Sequence, residues 1–207
     1  MDTANAERLK GTTTVGLVFD KGVVLAADKR ATMGYFIASK EVDKVFQVGD
    51  RMAMTIAGVT GDAQSLVRLV KAELELYKYS RGSAMTVEGA ASLLANILQG
   101  NKYFPYIVQL LLAGYDSAPR LFDLDLVGGL IPEKYTSTGS GSPVAFGVLD
   151  EYYRDGMTRD EAMKLAVKAV NAAIKRDSPT GEGVDLVCIT RDGVRKYSRE
   201  ETSKIMA

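Results

Sequence analysis

Gly11-Thr12-Thr13-Thr14-Val15-Gly16-Leu17-Val18-Phe19, then Asp20-Lys21-Gly22, then Val23-Val24-Leu25-Ala26-Ala27-Asp28, is the stretch on which the reading of this chain turns. Two apolar runs flank a short turn that ends in glycine, which is the pattern of a β-hairpin. A hairpin brings the end of its second strand back beside the start of its first. Asp28, and Arg30 just beyond it, therefore return to the neighbourhood of the Gly11–Thr12 bond. A threonine hydroxyl is a poor nucleophile without a base. If the Gly11–Thr12 bond is cut, the new α-amine of Thr12 is a base on the same residue. The plainer alternative is a polar start to an ordinary strand, with Asp28 and Arg30 as solvated charges.

Composition narrows the chemistry. The chain has 207 residues, 46% hydrophobic and 25% charged, the profile of one soluble domain with a sizeable core. Lys plus Arg and Asp plus Glu are both 26, so the net charge of zero gives no electrostatic case for nucleic acid or a membrane surface. No apolar run reaches the length of a membrane span. Residues 1–11, MDTANAERLKG, lack the apolar centre of a secretory signal and read as a loose tail or a propeptide. There is no histidine, which excludes Ser-His-Asp and Cys-His catalysis within the chain and every histidine metal site. The single cysteine, Cys188, lies in the apolar run Val184–Thr190 and reads as a small buried hydrophobe. One unpaired cysteine fits a reducing compartment, hence the cytoplasm. The nucleophile designs left to a hydrolase are Ser-Lys, carboxylate-bound metal and water, or an N-terminal residue.

The rest of the chain reads as alternating blocks of strands and helix pairs. Strands are expected at Tyr35–Ser39 and Lys44–Val48 as a second hairpin, and at Met52–Ala57. Helices follow at Asp62 to about Tyr79, with Leu66, Leu69, Val70, Leu74 and Tyr77 on one face, and at Val87–Gln99 with Thr86 as cap. Strands return at Ile107–Tyr115, Arg120–Leu126 and Leu130–Lys134. Ser142-Pro143 reads as the capped start of a third helix ending near Gly156. Thr158-Arg159-Asp160-Glu161 is a capping box opening a fourth helix to about Arg176. Strands Val184–Thr190 and Val194–Tyr197 and a short charged tail close the chain. Helices in consecutive pairs argue against a doubly wound parallel sheet. They favour two packed antiparallel sheets, each covered by a helix pair, in a single α+β domain.

Several residues could serve chemistry at Thr12, and each has a plainer reading. Lys44 beside a hydroxyl and an amine would disfavour protonation of that amine, and Asp28 would hold the lysine in place; otherwise Lys44 is a strand-end solubility residue. Gly58 directly follows a strand and could offer its N–H to an oxyanion, or simply end the strand. Ser137-Thr138-Gly139-Ser140-Gly141-Ser142 reads as a phosphate cradle or as a tight loop presenting Ser140; the lysine of a P-loop is missing. Arg176-Asp177-Ser178-Pro179-Thr180-Gly181 offers an aspartate and two hydroxyls, or is only a helix end and turn.

Together these segments resemble the β-type subunits of the 20S proteasome, in particular the archaeal catalytic type. The matching segments are Gly11–Gly16, Ala27–Gly34, Lys44–Phe46, Thr55–Gly58 with Gly61-Asp62, Ser137–Ser142 and Arg176–Ser178. The resemblance implies an N-terminal-nucleophile hydrolase, a four-layer αββα sandwich, with residues 1–11 removed by self-cleavage between Gly11 and Thr12. It implies Thr12 as nucleophile and freed base, Asp28 and Lys44 as its charge pair, and Gly58 as oxyanion donor. Ser140, Asp177 and Thr180 would hold the amine; Thr180 stands where the family pattern usually has serine. Ala31, Thr32, Ile56 and Thr60 would line the substrate cleft, which suits an apolar side chain before the cut bond. The resemblance implies a threonine-type endopeptidase with no cofactor or metal. It implies seven-membered homo-oligomeric β rings stacked with α-subunit rings, fed with polypeptide by an ATP-dependent unfoldase. Two rivals remain: a non-catalytic structural β subunit, and the bacterial two-component relative that also begins Thr-Thr. The first is disfavoured by Thr12, Asp28, Lys44, Ser140 and Asp177, and the second by Ala27-Asp28-Lys29-Arg30.

Overall fold

The computed structural model describes residues 11–205. Residues 1–10, most of the expected propeptide, lie outside the described residues, as do 206 and 207. The chain opens with β1 (Thr14–Phe19), β2 (Gly22–Asp28), β3 (Ala31–Met33), β4 (Phe36–Ser39), β5 (Val45–Gly49) and β6 (Met52–Gly58). Helices α1 (Thr60–Arg81) and α2 (Val87–Gly100) follow, then β7 (Val108–Tyr115), β8 (Pro119–Leu124), β9 (Leu130–Pro132) and β10 (Tyr135–Thr138). Helices α3 (Ser142–Tyr152) and α4 (Arg159–Ile174), strands β11 (Val184–Thr190) and β12 (Gly193–Tyr197), and α5 (Arg199–Ile205) complete it.

Two five-stranded antiparallel sheets form, in the orders β10-β1-β2-β11-β12 and β5-β6-β7-β8-β9, with β3-β4 as a separate ribbon. Three apolar layers hold them. Val23, Leu25 and Ala27 of β2 meet Ala53, Leu111, Ala113 and Leu121 between the sheets. The other face of the first sheet packs Val24, Ala26 and Leu186 against Leu165, Ala166 and Val170 of α4. The outer face of the second packs Met54, Leu110 and Leu112 against α1 and α2 through Leu66, Val70 and Leu94. This is the αββα sandwich. Every residue of β2 is buried, which explains why it is apolar on both faces rather than alternating. The capping box at α4 is complete: Thr158 accepts from the Glu161 N–H, and Glu161 accepts from the Thr158 N–H at 2.8 Å. Among the described residues, no helix is long and apolar enough to cross a membrane.

Several local expectations are corrected. Tyr35–Ser39 and Lys44–Val48 do not pair; β4 pairs with β3, and β5 pairs with β6. The third helix is capped at Gly141, with Ser142 already helical, and it ends at Tyr152 rather than near Gly156. Leu69 and Tyr77 lie at the edge of the buried face of α1 and are partly exposed, whereas Ala63 and Val67 are buried. The run Leu130–Lys134 is only the short β9. The expected loop Ser137–Ser142 is strand in its first two residues: with Tyr135 and Thr136 they form β10, which lies on β1 with Thr14 opposite Thr138.

Candidate active site

The hairpin β1–β2 places the first side chains. Its register sets Thr14 opposite Ala27, and the Asp28 N–H donates to the Thr13 carbonyl at 3.1 Å. Thr12 is thereby buried at the strand start, 6% exposed. Its Oγ1 donates to the Gly11 carbonyl oxygen at 2.7 Å, and its N–H donates to Ser140 Oγ at 3.2 Å. Gly11 is buried against the loop after α4: a Cβ there would lie 1.6 Å from Pro179 Cβ, so no side chain fits.

Asp28 is fully buried and wholly satisfied. Its Oδ1 accepts from Lys44 Nζ at 2.7 Å and the Thr13 N–H at 3.0 Å; its Oδ2 accepts from the Arg30 and Gly181 N–H groups at 3.1 and 3.0 Å. Three backbone donors and a lysine are enough to hold a buried carboxylate in place. Lys44 reaches it because β5 joins β6 early: the Ile56 N–H donates to the Lys44 carbonyl. Burial pushes the Lys44 ammonium below the ordinary lysine range, and the Asp28 charge opposes that shift. Arg30 does not aim at Thr12. Its guanidinium binds the Ser178 carbonyl at 2.7 Å and Glu182 at 3.1 Å, bracing the loop that follows α4.

A second polar group reaches the Thr12 nitrogen through Ser140. Ser140 Oγ donates to Asp177 Oδ2 at 2.6 Å, and the Thr180 hydroxyl donates to the same oxygen. Thr180 Oγ1 is also 2.8 Å from Thr13 Oγ1. Asp177 sits just past α4, with its N–H on the Ala173 carbonyl. Ser140 is delivered by β10 through Gly139, whose φ of +92° suits glycine. A Cβ at Gly139 would also stand 2.1 Å from the Thr12 carbonyl oxygen. Across the sandwich, Gln109 Oε1 accepts the Gly139 N–H at 2.9 Å.

A cavity of about 410 Å³ opens beside Thr12. Ala31, Thr32, Ile56 and Thr60, the four expected cleft residues, all line it, with Lys44 and Gly58. Gly58 ends β6 at φ +140°, and a Cβ there would lie 2.1 Å from the Ile107 carbonyl oxygen. Phe46, Ile56 and Ala63 make one wall apolar, while Glu41 and Asp43 add charge. The geometry joins a hydroxyl held against the preceding carbonyl, a buried lysine–carboxylate pair, a serine–aspartate–threonine group and an open cleft. Hydroxyl attack on an amide fits that arrangement.

A family model described as Proteasome subunit matches residues 9–189. The chain belongs to the proteasome subunit family. A Proteasome subunit beta of Methanohalophilus mahii is 52% identical over 204 residues, covering 98% of this chain and 97% of its own length. A Proteasome subunit beta of Methanosarcina barkeri is 51% identical over 205 residues, with the same coverage. Proteasome subunit beta 2 of Pyrococcus furiosus is 50% identical over 200 residues, covering 97% of both chains. The protein is a catalytic β-type proteasome subunit, a threonine-type endopeptidase that works within the 20S assembly.

In this proteasome subunit the six residues expected to act with Thr12 fall into three places: Asp28 pairs with Lys44, Ser140 and Thr180 bond Asp177, and Gly58 lines the cleft. Sequence reasoning missed Thr13, Gln109 and Gly181. Gln109 and Gly181 had no local signal, because their partners come from distant segments. The run Thr12-Thr13-Thr14 was a signal for Thr13: three consecutive hydroxyls at a buried strand start each need a partner.

Proposed function

We propose that Thr12 is the nucleophile of this proteasome subunit and that residues 1–11 are a propeptide it removes from itself. Residues 12–207 are then the single N-terminal-nucleophile hydrolase domain. Thr12 Oγ adds to the Gly11 carbonyl carbon. The C–N bond breaks, the Thr12 nitrogen leaves as the amine with a proton, and Gly11 is held as an ester on Oγ. Water cleaves that ester, restoring the hydroxyl and freeing the Gly11 carboxylate.

For each substrate the Thr12 amine takes the Oγ proton as Oγ adds to a peptide carbonyl. The Gly58 N–H stabilises the oxyanion, a contribution of about 10²–10³ in rate for one donor elsewhere. The amine passes its proton to the leaving peptide nitrogen, and water then hydrolyses the acyl ester. Lys44, held by Asp28, disfavours protonation of the amine by its positive charge. Ser140, with Asp177 and Thr180 behind it, holds the amine. Ala31, Thr32, Ile56 and Thr60 receive the side chain before the cut bond, and the apolar wall favours an apolar one.

Membership of the family supports the assembly reading. Seven-membered β rings stack with α rings, the chamber encloses the sites, and an ATP-dependent unfoldase feeds polypeptide through the α ring. The location is the cytoplasm. The observation that supports the reading most is the 2.7 Å bond from Thr12 Oγ1 to the Gly11 carbonyl, in a residue whose nitrogen is held by Ser140. The test is peptidase activity after co-assembly with a proteasome α subunit. Thr12→Ala should abolish it while rings still form; an active Thr12→Ala assembly would sink the assignment.

A further inference from the structure

Thr13 belongs to both polar groups at once. Its N–H donates to Asp28 Oδ1 at 3.0 Å, and its carbonyl accepts from the Asp28 N–H. Its hydroxyl lies 2.8 Å from Thr180 Oγ1, and both side chains are buried, at 0% and 1% exposure. Gly141 closes the remaining side, since a Cβ there would stand 2.0 Å from Thr13 Oγ1. The hydroxyl has nowhere else to turn.

The direction of each proton follows from counting donors. An ionised carboxylate only accepts, so the Ser140 and Thr180 hydroxyls both donate to Asp177 Oδ2. Each hydroxyl has one proton. Thr180 has spent its own on Asp177 and must accept from Thr13. Ser140 has spent its own likewise and accepts from Thr12 nitrogen. Two chains therefore converge on one oxygen: Thr13 to Thr180 to Asp177, and Thr12 nitrogen to Ser140 to Asp177. Bonds in such chains polarise and strengthen one another.

We propose that Thr13 is a positioning residue for catalysis: its hydroxyl locks Thr180 onto Asp177 and couples that group to the Asp28–Lys44 pair through its own backbone. This deepens the reading above and rests on it, because Asp177 matters here only as the support of Ser140 at the Thr12 amine. It also accounts for threonine at position 180. The extra methyl restricts the side chain, and the Thr13 hydroxyl selects the rotamer that reaches Asp177. A methyl in place of that hydroxyl cannot approach an oxygen to 2.8 Å, so Thr180 would be displaced.

The test uses subunits co-assembled with an α subunit and a fluorogenic peptide with an apolar residue before the cut bond. Thr13→Val should lower kcat about tenfold, the scale of one buried hydrogen bond, and leave KM within about twofold. Thr13→Ser should restore kcat. Thr13→Val combined with Thr180→Val should be no slower than Thr180→Val alone. Wild-type kcat in Thr13→Val, a Thr13→Ser as slow as Thr13→Val, or losses that multiply in the double variant would overturn the proposal. If Thr13→Val does not assemble, Thr13→Cys, with a weaker donor, replaces it under the same criteria. Thr12→Ala is run beside them. Activity in Thr12→Ala refutes the nucleophile itself, whereas an inactive Thr12→Ala with a fully active Thr13→Val refutes only the coupling.

Discussion

Replacing Asp28 with asparagine changes one atom and removes one charge, yet the structure makes it a severe change. Both carboxylate oxygens are saturated: Lys44 Nζ and the Thr13 N–H on one, the Arg30 and Gly181 N–H groups on the other. An asparagine side chain must turn its NH₂ towards one of these pairs, whichever way it flips. Two buried donors then face a donor, at about 1–3 kcal/mol for each group left unsatisfied. Removing one partner of a buried ion pair independently costs about 3–5 kcal/mol. The two figures describe largely the same loss, so Asp28→Asn should destabilise the subunit by about 3–5 kcal/mol. That is a large part of the ~5–15 kcal/mol of a typical domain. Burial already lowers the Lys44 pKa, and Asp28 is the main charge opposing it. Without Asp28 the lysine shifts further down and loses its cation at lower pH. The assay is urea unfolding of the subunit at neutral pH, with peptidase activity of whatever assembles. An Asp28→Asn subunit within about 1 kcal/mol of wild type and normally active would refute the account of this pair.

Two further outcomes follow from single positions. Gly58→Ala should abolish peptidase activity and weaken folding, because the new Cβ overlaps the Ile107 carbonyl and the backbone there has a positive φ; kinetics with thermal unfolding checks this, and normal activity contradicts it. Cys188 is buried and its thiol is pushed up to about 11 by burial, leaving about one thiolate in a thousand at pH 8. It should resist iodoacetamide in the native subunit and react once per chain after denaturation, as read by mass.

The sequence made the sandwich legible where local signals matched tertiary demands. The β1–β2 hairpin was marked by Gly22, and α4 by its Thr158–Glu161 box. Consecutive helix pairs then excluded a doubly wound sheet. Strand β10 escaped because Tyr135-Thr136-Ser137-Thr138 carries no apolar alternation to mark a buried face, although Tyr and Thr favour strands. It is buried only because its hydroxyls are paired: Ser137 Oγ donates to the Thr14 carbonyl at 2.6 Å, and Thr138 Oγ1 bonds Thr14 Oγ1 at 2.7 Å. The partner of β4 escaped for another reason, since pairing depends on which strand the fold brings near and not on the strand itself. At the site, chemistry-bearing side chains stood out as residue types, while Gln109 and Thr13 act on neighbours that only the folded chain supplies.

The most direct measurement is the intact mass of the subunit after assembly, for wild type and Thr12→Ala together. The account predicts that wild type loses residues 1–11 and begins at Thr12, while Thr12→Ala keeps them. A Thr12→Ala chain cut between positions 11 and 12 within an otherwise pure assembly would contradict the claim that Thr12 opens its own site.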